Sequence, residues 1–252
     1  MADPRRQLID SARRMSVLGL NRGTAGNVSV RVGDESDEGC SAFLITPTGM
    51  AYDTLEPEDI VRMRLDGTCS GRRKPSSEWR FHRDLYVARA DAGAILHAHS
   101  PFATSLACLR RDIPPFHYMI ARFGGDRVRC AGYATFGTQA LSDRILRAID
   151  KRRACLLANH GMLVLGDDLP QALDFHLKSK AGFEELALQR TEAYANVLYN
   201  SAIVYEKIGQ TQEARNYFGQ AYSTYAQLGR ITEAQDAKRN ADRLRSVESR
   251  RD

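Results

Sequence analysis

The chain has 252 residues, 43% of them hydrophobic, and 36 Lys and Arg against 31 Asp and Glu leave a net charge of only +5. That is globular composition with enough length for one large domain, or for a core domain with an accessory piece. Basic and acidic residues interleave almost everywhere, and the densest basic run, Arg72-Arg73-Lys74, has no aromatic interleaving, which argues for a solvated surface over a nucleic-acid footprint. Five scattered cysteines (Cys40, Cys69, Cys108, Cys130, Cys155) form no CxxC pair, which suits a reducing compartment and speaks against a thiolate zinc site. With no leader-like apolar segment and no run of membrane-spanning length, a cytoplasmic protein is expected.

In chain order, Asp3-Pro4 reads as an N-cap with proline in the first turn, followed by the helical stripe Leu8, Ile9, Ala12, Met15 and Leu18, with Gly19 ending the helix. A glycine turn, Gly23 to Asn27, opens into Val28-Ser-Val30-Arg-Val32, whose alternation signals a half-buried strand. Ala42 to Thr46 is a second strand closed by the turn Pro47 to Met50, and Ile60 to Leu65 a third, ended by the hairpin signal Asp66-Gly67. Pro75-Ser76-Ser77-Glu78 opens a helix, with serine caps and an acid in the first turn, and Trp79, His82, Leu85, Tyr86 and Arg89 follow at helical spacing. On local evidence those three polar residues are caps and nothing more.

Ala94 to Ser100 is the next strand, and Pro101 starts a helix through Leu109. Pro114 to Met119 is irregular, Val128 to Ala131 a short strand, and Thr138 or Ser142 caps a helix running to Arg152. Cys155 to Gly161 reads as a buried strand, with Met162 to Leu165 continuing extended. These elements predict an α/β protein whose central sheet is mostly antiparallel or mixed and flanked by helices.

From Asp168 to Ile208 the composition is helical, with no linker signal between Leu169 and Ile208. Two further helices are expected over about Thr211 to Leu228 and Thr232 to Val247. Gly209-Gln-Thr-Gln-Glu213-Ala214 recurs as Gly229-Arg-Ile-Thr-Glu233-Ala234, and with Tyr205, Phe218 and Ala221 the tail looks like one tetratricopeptide unit plus a capping helix. A lone unit of that kind buries little surface, so the tail is expected to pack on the body or on a neighbouring chain. The division expected is 1–192 and an all-α hairpin extension 193–252, joined by a continuous helix near Thr191 to Tyr194.

Within this frame, His97 and His99 lie one residue apart on a strand and so on one face, half of a metal site or an ordinary pair of histidines. His160 ends another strand, and Glu78 sits on the helix before the HxH strand. Three imidazoles and one carboxylate would complete a tetrahedral zinc sphere.

Seven ordered motifs, AGNVSVR, ITPTG, PSSEW, HAH, HYMIA, YATFGT and NHG, resemble the class II aldolase/adducin family over about residues 5 to 192. The resemblance implies one Zn2+ per subunit on His97, His99 and His160, with Glu78 as fourth ligand at rest and as base once substrate displaces it. It implies a phosphate pocket of Asn27, Thr48, Gly49, Ser76 and Ser77, all neutral, on turns and a helix N-terminus. It further implies that Tyr118, offered by the adjacent subunit of a homotetramer, protonates the aldehyde oxygen. The reaction implied is cleavage of a ketose 1-phosphate, of the L-fuculose 1-phosphate type, into dihydroxyacetone phosphate and an aldehyde.

Two departures qualify the resemblance. Epimerase-branch members carry aspartate where this chain has Glu78, which favours carbon–carbon cleavage here over an epimerase or dehydratase. The segment that in the aldolases folds back near the active site is replaced by the repeat-like helices, which predicts loose aldehyde selectivity. A different class of reading, an adducin-like scaffold whose tail directs assembly or binds a partner, is disfavoured as the sole role by retention of all three histidines and Glu78.

Overall fold

The computed structural model describes residues 3–21, 23–33, 41–115, 118–185 and 192–248. The chain divides into two compact units, Met1–Lys180 and Ala181–Asp252. In the first, helix α1 (Pro4–Val17) starts as its sequence dictates: Asp3 accepts the backbone N–H of Arg5, Pro4 occupies the first turn, and Leu8, Ile9, Ala12 and Met15 are buried.

Among the described residues, eight strands form one sheet. They are β1 (Asn27–Gly33), β2 (Ser41–Ile45), β3 (Val61–Arg64), β4 (Cys69–Ser70), β5 (Ala94–Ala98), β6 (Arg129–Ala131), β7 (Ala154–Leu157) and β8 (Gly161–Gly166), in the order β4-β3-β2-β1-β5-β8-β7-β6. Every neighbouring pair is antiparallel except β6 with β7, so the sheet is mixed, as expected. Alternation sorts the side chains into two cores. Phe43, Ile45, Ile95, Leu163 and Leu165 face the apolar side chains of α2 (Trp79–Ala88) and α4 (Gln139–Ile149). Val28, Leu44, Ala94, Leu96 and Ala98 face those of α1 and of the first turns of α5 (Leu169–Glu185). Helix α3 (Pro101–Cys108) follows β5, and Thr138 caps α4 by accepting the N–H of Leu141.

Two local expectations are corrected. Cys155 to Leu165 is not one extended run: Asn159 adopts φ of 56°, the N–H of His160 bonds the Leu157 carbonyl at 3.0 Å, and β8 returns antiparallel on β7. Asparagine tolerates the left-handed region and so makes the reversal without glycine at that position. Nor do the serines cap α2. The N-cap position is Glu78, without a side-chain cap, while Ser76 Oγ accepts the Glu78 N–H at 3.3 Å one turn earlier. The acid of the first turn is spent elsewhere.

In the second unit, α6 (Glu192–Lys207), α7 (Thr211–Gln227) and α8 (Ile231–Glu248) follow one another, with α7 packed on both neighbours. Gly209 and Gly229, at φ of 78° and 70°, stand just past the ends of α6 and α7, the left-handed positions where a helix stops most easily on glycine. Tyr205, Ala214, Phe218 and Leu244 form its core, and the Tyr199 ring meets Phe218 edge-on at 5.2 Å. Of the expected junction, Thr191 to Tyr194, Thr191 lies outside the described residues and α6 begins at Glu192. No described helix is long and apolar enough to cross a membrane, and Cys69, Cys108, Cys130 and Cys155 are free.

The basic run Arg72-Arg73 has a structural use. Asp59, itself buried, accepts from Arg72 Nε at 2.9 Å, Arg73 Nε at 2.8 Å and the Glu56 N–H at 3.0 Å, and the Arg72 guanidinium first of all holds the Asp59 carboxyl well below its ordinary range. A carboxyl depressed in the folded state stabilises above its unfolded pKa, and that stabilisation is lost as pH falls from there through the folded value. Asp59→Asn is therefore expected to cost about 1–3 kcal/mol at pH 7. In urea melts, the gap to wild type should close progressively below about pH 4.

Candidate metal centre

The site is built where β1, β5 and the β7–β8 turn meet the N-terminus of α2. Antiparallel pairing sets Asn27 opposite His97 and Ser29 opposite Ile95, so Asn27, Ser29, Ile95 and His97 share the face covered by α2. His97 is wholly buried, and its ring meets Phe81 of α2 edge-on at 5.7 Å. The Met162 carbonyl, 3.0 Å from His97 Nδ1, can only accept, which places the proton on Nδ1 and the lone pair on Nε2.

The three histidines converge. His97 Nε2 lies 2.9 Å from His99 Nε2 and 3.3 Å from His160 Nε2, and the ligand atoms of the three all fall within 4.8 Å of one another. A tetrahedral zinc with bonds of about 2.0–2.1 Å sets its nitrogens roughly 3.4 Å apart, so this trio fits one ion. Glu78 approaches from the helix side, with Oε2 3.4 Å from His97 Nε2 and Oε1 3.5 Å from His160 Nε2. Oε1 is buried and has no hydrogen-bond partner. Three nitrogen ligands around a point that an unsatisfied carboxylate oxygen also faces are a donor set for a divalent cation, since one proton cannot satisfy them all.

Electrostatics favour the same occupant. Burial holds His97 well below the usual imidazole range, lowers His99, and takes His160 down to about 4, so all three are neutral imidazoles at pH 7, the form that could ligate a cation. Burial pushes the Glu78 carboxyl up to about 7, against the lowering effect of the Asn27 amide that donates to Oε2 at 2.9 Å. A cation beside it favours the carboxylate form.

Close backbone approach explains the glycines. A Cβ on Gly26 would lie 2.2 Å from Asn21 Nδ2 and 2.6 Å from the His97 carbonyl, and Asn21 Oδ1 in turn accepts the His99 N–H at 2.9 Å. The glycine turn, a weak signal by itself, seats the HxH strand. A Cβ on Gly161 would stand 2.5 Å from the Ala98 carbonyl, 2.9 Å from His99 Cδ2 and 3.2 Å from His97 Cε1.

The segments carrying the expected phosphate pocket are adjacent. Pro47 bridges Pro75, the Thr48 N–H bonds the Lys74 carbonyl at 3.2 Å, and the Ser76 N–H bonds the Thr46 carbonyl at 3.0 Å. Thr48, Gly49 and Ser77 are exposed there, Ser76 is buried, and the Gly137 of the YATFGT segment lies against the Ser77 carbonyl. Asn27 is buried, its side chain shared between Glu78 and His82. Tyr118 opens a 3-10 turn, Tyr118–Phe123, and its side chain is outside the described residues. Asn21, Gly161, His82, Ser29 and the Met162 carbonyl were not assigned to the site from sequence. The strand alternation of Asn27 with Ser29 and the four-residue step from Glu78 to His82 were the signals available.

Residues 6–181 match the Class II Aldolase and Adducin N-terminal domain. The chain belongs to the class II aldolase and adducin family. It is 51% identical, over 185 residues, to a 5-methylthioribulose-1-phosphate/5-deoxyribulose-1-phosphate aldolase of Rhodospirillum rubrum, covering 73% of this chain and 79% of that one. It is 46% identical, over 168 residues, to an L-fuculose phosphate aldolase of Escherichia coli, covering 67% and 75% respectively. Among solved structures, an L-fuculose 1-phosphate aldolase superposes with a TM-score of 0.68 at 39% identity, covering 75% of this chain and 86% of that one. The sheet and its flanking helices are thus the class II aldolase fold, and these relatives are lyases.

Gly161 tests the crowding directly, because its φ is not in the left-handed region and only the added methyl intrudes. If the three imidazoles hold a divalent cation, Gly161→Ala is expected to weaken its binding about tenfold, the scale of a lost outer-shell partner. Competition with a chelating dye measures it.

Proposed function

We propose that this chain is a zinc-dependent aldolase that cleaves a ketose 1-phosphate into dihydroxyacetone phosphate and an aldehyde. The observation that carries the proposal is the convergence of three neutral imidazole nitrogens with the unpartnered Glu78 Oε1. A divalent cation on His97, His99 and His160 would supply Lewis acidity to the substrate's carbonyl and neighbouring hydroxyl oxygens. Glu78 completes the ligand set at rest and, turned toward substrate, exchanges a proton with the carbon beside the carbonyl. Its carboxyl, pushed up to about 7, is matched to both taking and returning that proton near neutral pH.

In this proposal Thr48, Gly49, Ser76 and Ser77, with Asn27 at the start of β1, hold the phosphate through neutral donors. Tyr118 from a neighbouring copy in a fourfold assembly serves the aldehyde oxygen. What supports the substrate class is the pair of relatives, one acting on 5-methylthioribulose 1-phosphate or 5-deoxyribulose 1-phosphate and the other on L-fuculose phosphate. The half both reactions share is the phosphorylated ketose end, the part the neutral turns would hold in this proposal. Selectivity for the aldehyde half is expected to be loose. Glutamate at position 78 supports cleavage over epimerisation.

The test combines metal analysis with dihydroxyacetone phosphate release from 5-deoxyribulose 1-phosphate, 5-methylthioribulose 1-phosphate and L-fuculose 1-phosphate. Wild type is expected to hold one zinc per chain and to release the triose phosphate from more than one of them, and His160→Ala to lose both zinc and activity. Glu78→Gln should lower kcat by about 10²–10⁴. A zinc-free active protein, or an epimer in place of triose phosphate, would overturn the proposal.

A further inference from the structure

Behind Glu78 a second set of buried polar groups joins β1 to α2. Asn27 Nδ2 donates to Glu78 Oε2 at 2.9 Å, Asn27 Oδ1 lies 2.5 Å from His82 Nε2, His82 Nδ1 lies 2.7 Å from Ser29 Oγ, and Ser29 Oγ lies 2.8 Å from the Tyr86 hydroxyl. All five side chains are buried, His82 completely. The chain is a zipper whose teeth alternate between elements: 78, 27, 82, 29, 86. It holds register because two strand residues advance about 6.7 Å and four helical residues about 6.0 Å.

The polarity of every link follows from the first. Glu78 as carboxylate accepts only, so the Asn27 amide turns its nitrogen there and its oxygen to His82. That oxygen can only accept, so His82 carries its proton on Nε2 and presents a lone pair on Nδ1. Ser29 must then donate to Nδ1, and Tyr86 donates to Ser29. Burial takes His82 down to about 3 and raises the Tyr86 hydroxyl, so near neutrality His82 stays neutral and Tyr86 keeps its proton. Every donor and acceptor named is satisfied except one, Glu78 Oε1, which faces His160.

We infer that Asn27, His82, Ser29 and Tyr86 form a positioning relay that fastens Glu78 by Oε2 and thereby reserves Oε1 as the oxygen that meets metal and substrate. His82 is the hinge pin, a positioning residue and not a ligand. What Glu78 then does rests on the aldolase proposal above, whereas the fastening is independent of substrate identity. A simple packing role would not need the uniform donor direction, since an apolar residue of similar volume fills the same space without leaving polar partners to satisfy.

The test uses the full-length protein loaded with Co2+, whose visible absorption reports ligand geometry, together with kcat and KM. In His82→Leu the three imidazoles still bind cobalt, but affinity should fall about tenfold to a hundredfold, as loss of an outer partner does. The visible band should shift, and kcat should drop with KM changed by less than about twofold. His82→Gln, which can still donate to Asn27, should recover part of each loss. A His82→Leu protein with wild-type spectrum, affinity and kcat, and only a lower Tm, overturns the inference. Should that variant not fold, Tyr86→Phe, which removes one hydroxyl, carries the same test: an unshifted band and unchanged cobalt affinity overturn it. A wild type that binds no cobalt or releases no triose phosphate instead sinks the aldolase proposal, and that outcome is told apart by being seen before any variant is made.

Discussion

An imidazole with no solvent exposure in the middle of a sheet is the constraint around which this unit is arranged. His97 sits in β5, flanked by β1 and β8, on a face it shares with the apolar Ile95, Phe43 and Leu163 and with the buried Asn27 and Ser29. A buried polar ring must have both nitrogens satisfied. Nδ1 uses the Met162 carbonyl, which requires β8 to lie beside β5 in the observed register, with His97 opposite Leu163. Nε2 is then left facing His99 and His160, and the turn that delivers His160 is the one between β7 and β8. The left-handed Asn159, the bare Gly161 and the glycine turn at Gly26 are consequences of bringing backbone and rings to this one point.

Most of the fold was legible because its elements carry local signals of different period. Alternation in Val28 to Val32, the proline-started helix at Pro4 and the Asp66-Gly67 hairpin each name their structure without help from the rest. The β7–β8 hairpin was not legible, because Asn159-His160-Gly161 places its left-handed residue at asparagine while the glycine serves a different need, room for two imidazoles. The same conflict hid the start of α2. Ser76, Ser77 and Glu78 read as capping chemistry, yet Glu78 turns its carboxylate toward His97 and His160, and a non-capping N-cap is the cost. His82 was visible only as a member of a helical stripe. Its partners lie on β1, and a pairing between residues 53 and 55 positions apart has no local period to betray it.

The second unit shows the complementary limit. Its glycine-led repeat points directly to where α6 and α7 end, and Tyr205, Ala214, Phe218 and Ala221 are buried. The family match stops at residue 181, so none of these helices is part of it. Three helices with a small core of their own bury a modest apolar area, and helical stability of that kind comes from packing of faces more than from propensity. The repeat therefore marks the helix ends of this unit, which lies outside the part of the chain that the family match covers.

Charge distribution bears on how the proposed phosphate pocket could be neutral. The nearest dense basic run, Arg72-Arg73, has Nε atoms of both residues committed to the buried Asp59. The glycine turn, the Thr48-Gly49 turn and the Ser76-Ser77 segment offer no guanidinium or ammonium of their own. A divalent cation on three neutral imidazoles, beside one carboxylate, leaves a local excess of one positive charge. In the proposed site, that excess would act in a partly buried setting more strongly than a solvated lysine would. In the proposed reaction, backbone N–H groups and hydroxyls would need only orient the phosphate, and donors without charge would leave the Glu78 carboxyl without a cationic neighbour pulling it down from about 7, which suits the base the proposal makes of it.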